Sequence, residues 1–139
     1  MTRANGGITI ELLSGTLAAV LAWLFNSFLI ARWGKEAIWL AAPLVEESLK
    51  TGLALLLGTS LFISHLLFGL AEGIFDVLRP GRDDLPAGLS GLISHGIYGW
   101  LTQTVWLASG NIWLGVAAAM VVHMLWNAAV VLLARRRQH

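Results

Sequence analysis

Between residues 8 and 134 this sequence is almost continuously apolar, broken at Arg32–Glu36, Gly58-Thr59, Arg79–Pro86 and Ser109–Asn111. A helix that crosses a membrane needs about 20 mainly apolar residues. The breaks leave five segments of that kind, at roughly 8–31, 37–57, 59–78, 88–108 and 112–134. Arg79-Pro80-Gly81-Arg82-Asp83-Asp84-Leu85-Pro86 is a charged turn that no helix would cross. Composition agrees: 12% of the residues are charged, against about 25% in a soluble domain. The expected fold is all-α, one integral-membrane domain over residues 1–139, a polytopic bundle of five transmembrane helices.

The loop charges give that bundle an orientation. With five spans, one side of the membrane receives Arg32, Lys35, Arg79, Arg82, Arg135, Arg136 and Arg137, and the other receives Arg3. The positive-inside rule then puts the C-terminus in the cytoplasm and the N-terminus outside. Adding or dropping a span scatters the basic residues over both faces. The expected location is the plasma or inner membrane, multi-pass. The first segment is too long for the apolar part of a signal peptide and reads as a retained helix. It carries Glu11 and Asn26, neither with an obvious partner.

Inside these segments lie groups that hydrocarbon does not tolerate freely. Glu46, Glu47 and Lys50 fall within one helical turn of the second span. An ionised side chain at a membrane centre costs roughly 2.5–3.5 kcal/mol on insertion scales. One reading is a self-neutralising cluster in which Lys50 balances one carboxylate. That leaves the second acid unexplained. The third span adds Phe68 and, one turn on, Glu72; Asp76 follows near the cytoplasmic end. The fourth carries His95 and Gly99, the fifth His123 and Asn127, each pair one turn apart.

Counted at 1.5 Å per residue, Glu46, Glu72, His95, His123 and Asn127 lie roughly 9–16 Å deep on the cytoplasmic side. Four helices thus offer polar groups at overlapping depth, and one shared cavity is the expected result. His65 sits in the outer half, away from the rest, and reads as a hydrogen-bonded packing residue outside the site. Ser94 adjoins His95 but falls on another face, so a serine hydrolase is a poor fit. The absence of cysteine excludes disulfides, thiolate metal sites and cysteine nucleophiles.

Two acids, two histidines and an amide around a partly wet cavity suit hydrolysis. A buried glutamate can take a proton from water. Histidine and asparagine donors can stabilise the oxyanion that forms on an attacked carbonyl.

Glu46-Glu47-x-x-Lys50, Phe68-x-x-x-Glu72, His95-x-x-x-Gly99 and His123-x-x-x-Asn127 come in that order on successive segments. Together they resemble the PrsW-type intramembrane proteases, part of the wider superfamily of CAAX prenyl endopeptidases and bacteriocin-processing or immunity proteins. The likeness covers roughly residues 43–127, and the first helix contributes nothing to it. The resemblance implies hydrolysis of a peptide bond within or beside the membrane. By it, Glu46 is the water-activating base, Glu47 a supporting acid, and His123 and Asn127 the oxyanion donors. Lys50 and Phe68 would tune charge or meet substrate.

The prenyl endopeptidases carry histidine where this chain, like the PrsW group, has Glu72, and that makes a metal more conceivable. Zinc would accept Glu72, His95 and His123 and leave a fourth position for water. The two-histidine helix motif of a zinc protease is absent, and the reading leans towards hydrolysis without a tightly bound metal. The expected partners are the lipid bilayer and a membrane-anchored protein or peptide, with no nucleic acid. Five spans make either a minimal core or one that completes its groove by self-association. Alternatives are a proton-coupled small transporter and a non-catalytic immunity or scaffold protein of the same fold.

Overall fold

The computed structural model describes residues 3–78 and 85–136. It is all-helical: α1 Arg3–Trp33, a 3₁₀ turn Gly34–Glu36, α2 Ala37–Leu57, α3 Leu61–Leu78, α4 Leu85–Ser109 and α5 Ile112–Arg136. The reversal at Gly58 is real. Gly58 takes the left-handed conformation (φ 65°, ψ 33°), which costs glycine little, and Thr59 N donates to Ala54 O at 2.9 Å. Two helices, not one, therefore occupy residues 37–78. At the last connection Asn111 Oδ1 accepts from Trp113 N at 3.0 Å and caps α5. The expected charged turn lies outside the described residues from Arg79 to Asp84, as does Arg137. Leu85 and Pro86 instead open α4, three residues ahead of the expected start.

α2 is the central helix and packs against α1, α3 and α5, while α4 packs on α3 and α5. The polarity of the bundle is inverted relative to a water-soluble protein. The buried residues of α2 are Ala37, Ala42, Pro43, Glu46, Glu47, Lys50, Thr51 and Ala54, whereas Leu40, Leu44, Leu55 and Leu56 face out. The largest fully buried side chains include Tyr98, Lys50, His65 and Glu47. Lys and Glu are almost never fully buried in water-soluble folds unless paired. Among the described residues three helical stretches are long and apolar enough to cross a membrane: Gly7–Trp33, Leu61–Leu78 and Ile112–Leu133. α2 is held below that mark by its three central charges, and α4 is diluted by glycine, serine and histidine.

Small residues draw the helices together. Ala18, Ala19 and Ala22 of α1 form the apolar core with Phe68. Where α3 crosses α4, a Cβ on Gly73 would lie 2.9 Å from Gly88 O. That crossing is backbone against backbone, the close approach that small residues permit in membrane bundles.

Candidate functional site

Glu46, Glu47 and Lys50 all point from α2 into the bundle. Glu47 is fully enclosed and meets three side chains. Its Oε1 accepts from Lys50 Nζ at 2.5 Å and from His123 Nδ1 at 2.8 Å. Its Oε2 lies 3.1 Å from His65 Nε2. Lys50 Nζ also donates to His95 Nδ1 at 2.9 Å and stands 4.6 Å from the centre of the Phe68 ring, a cation–π contact. The ammonium is thus shared by α2, α3 and α4.

Hydrogen-bond bookkeeping assigns the imidazole protons. His95 accepts at Nδ1, so its proton is on Nε2, and that N–H donates to Glu72 Oε2 at 2.6 Å. His123 donates through Nδ1 to Glu47, so its Nε2 faces away from that pair. Nε2 lies 3.7 Å from Glu46 Oε2, too long for a direct hydrogen bond. Glu46 is held from its other side, where Oε1 accepts from Asn26 Nδ2 at 2.8 Å. Glu46 Oε2 is buried without a protein partner.

Glu46 and His123 line a cavity of about 440 Å³ together with Glu72, Asp76, Ser94, His95, Asn26 and Asn127 and several apolar side chains. Five expected residues, Glu46, Glu72, His95, His123 and Asn127, therefore share one cavity. Glu47, Lys50 and Phe68 are not on its wall and act from behind. Asn127 Nδ2 donates to Ile38 O at 3.0 Å, near the turn where Pro43 removes a helix donor. One N–H holds the amide in place and the second is left over.

Several expectations need correction. His65, set aside as packing, is fully buried and bonded to Glu47; the span from α3 to α2 is closed by side-chain length that depth counting ignores. Asn26 and Glu11 do have partners. Asn26 holds Glu46, and Glu11 accepts from Ser60 N at 3.1 Å near the start of α3. Lys50 balances Glu47 and leaves Glu46 to Asn26. Ser94 does reach the cavity, but its hydroxyl donates to Gly91 O at 3.0 Å and meets no base. Tyr98 was missed altogether: its ring stacks on His123 at 4.5 Å. Its place three residues after His95 on the same helix was the available signal.

The expected zinc set does not converge. Among the described residues the group whose ligand atoms come within 4.8 Å of one another is Glu46, His95 and His123. Glu72 is instead the orienting partner of His95. Both His95 nitrogens are already engaged, and an ammonium stands at Nδ1 where a cation would be repelled. Glu46, His95 and His123 could hold a metal ion if His95 gave up its bond to Glu72 or to Lys50.

No family model, curated protein or solved structure matches this chain.

Proposed function

We propose that the protein is a five-span membrane endopeptidase of the PrsW type, N-terminus outside, that hydrolyses a peptide bond of a membrane-associated hydrophobic protein. The observation that carries this reading is the buried, unpartnered Glu46 Oε2 facing His123 Nε2 across 3.7 Å, in two residues that line one cavity. Apolar side chains outside and ionisable ones inside support the membrane setting. The positive-inside distribution of Arg and Lys supports the orientation.

Charge balance gives the two facing groups their roles. Lys50 and Glu72, bridged by His95, cancel. Glu47 and His65 cancel when one proton lies between them. Asp76 on the cavity wall apart, these groups are neutral with one further proton on the Glu46–His123 pair, the state a low-dielectric interior favours. With that proton on His123, Nε2–H is a donor and Glu46 is a free base.

Water held between them gives a proton to Glu46 as its oxygen adds to the scissile carbonyl carbon. The oxyanion that develops accepts from His123 Nε2–H and from the second N–H of Asn127. Glu46 then returns its proton to the amine as the C–N bond breaks. Glu47 never touches substrate. It fixes His123 from behind, as the acid of a catalytic triad fixes its histidine.

The test compares host membranes carrying the native chain with membranes carrying Glu46→Ala. Free protein N-termini are labelled and identified by mass spectrometry. New N-termini within or beside apolar segments, made only by the native chain, are the expected result. The same N-termini in both samples would sink the assignment.

A further inference from the structure

We infer that His65 is a positioning residue of this site: it donates through Nε2 to Glu47 and so holds that carboxylate in place to accept from His123. His65 Nδ1 lies 2.8 Å from Leu61 O. A carbonyl only accepts, so Nδ1 carries a proton. Nε2 faces Glu47 Oε2 at 3.1 Å, and two lone pairs at that distance would repel. A proton therefore lies between them, and no solvent reaches either side chain, both fully buried.

The consequence is mechanical. Oε1 of Glu47 is held by Lys50 and His123, and Oε2 by His65. Gripped at both oxygens, the carboxylate plane cannot turn. Released at Oε2, it can rotate about its last bond, and the contact that fixes the His123 proton on Nδ1 loosens. His65 therefore acts on the cavity through two intermediaries, without touching it.

The backbone of α4 is cut to admit this ring. A Cβ at Gly99 would lie 2.6 Å from His65 Cβ and 2.9 Å from Cγ, closer than packed carbons come. Glycine inside a helix is unfavourable relative to alanine. Seating His65 against α4 accounts for Gly99, the member of the His95-x-x-x-Gly99 motif that has no polar role. His65 thus meets Glu47 from α2, Gly99 from α4 and Leu61 O of its own helix. Lys50 and His123 meet it at one remove, through Glu47.

The test is ¹⁵N NMR of the histidine-labelled protein in liposomes, where four imidazoles are to be assigned. Native protein is expected to show His65 protonated at both nitrogens and His123 protonated at Nδ1. His65→Leu is expected to make Nδ1 protonation of His123 partial. It should also slow cleavage by about 10- to 100-fold, by analogy with the loss when an outer partner that orients a metal-bound histidine is removed. His65→Gln, whose amide can still donate to Glu47, is expected to keep the His123 signal. Gly99→Ala should reproduce the His65→Leu spectrum by displacing the ring. A bare Nε2 on His65 in the native protein overturns the inference, and this needs no variant to fold. An unchanged His123 signal in His65→Leu overturns it equally. The cleavage arm rests on the endopeptidase reading, whereas the NMR arm needs no substrate and stands if that reading fails.

Discussion

Lys50 bonds to Glu47 and leaves Glu46 alone, although both carboxylates lie within one turn of it. The two acids of the pair are therefore different groups. Glu47 is saturated by donors and holds its neighbours in place. Glu46 keeps one oxygen uncommitted at the cavity.

Removing Lys50 should be costly for the fold. Lys50→Met leaves Glu47 and His95 each short of a donor, and breaking a buried pair is destabilising by about 3–5 kcal/mol. Thermal unfolding in detergent is expected to show a large drop in Tm. The double variant Lys50→Met/Glu47→Gln should lose less than the two single losses added together. Strict additivity would mean that the two groups do not act as a pair.

Asn26 should matter although it lies on the one helix without a motif. Asn26→Leu removes the donor to Glu46 Oε1, a charge-assisted contact worth about 1.5–3 kcal/mol. Cleavage is expected to fall by about tenfold or more, and the Tm to drop by several degrees. Native cleavage rates in Asn26→Leu would exclude α1 from the site.

Much of this was legible in the sequence, for a physical reason. Helical rise and spacing fix depth and face, so Glu46, Glu72, His95, His123 and Asn127 could be put at one level without coordinates. Partners were not legible. Counted from the start of α2 and from the end of α3, Glu47 and His65 differ in level by about 5 Å at 1.5 Å per residue, and two long side chains close that gap. The partner of Asn26 was not legible because α1 repeats no polar spacing that would mark a face. The tight α3–α4 contact depends on which glycines face each other, and spacing along one helix does not reveal that.

Gly73→Val tests that contact. A side chain there meets the Gly88 carbonyl, and overpacking of this kind costs roughly 1–3 kcal/mol. A lowered Tm is expected. Gly52, with open space at its Cβ position, should accept alanine without loss. Equal tolerance at both positions would contradict the crossing.

Topology is testable directly because the chain has no cysteine. Cysteine in place of Ser109 should react with an impermeant thiol reagent on intact cells. Cysteine in place of Lys35 should react only after the membrane is opened. The reverse pattern would invert the orientation.

The most direct measurement is the cleavage rate of purified Glu46→Gln in liposomes, beside native protein of matched Tm, on a substrate identified from the N-terminal labelling. The amide keeps the size of the side chain and removes its basic oxygen. A fall of about 10²- to 10⁴-fold, the usual contribution of a general base, is the expected result; a rate within twofold of native would contradict Glu46 as the group that activates water.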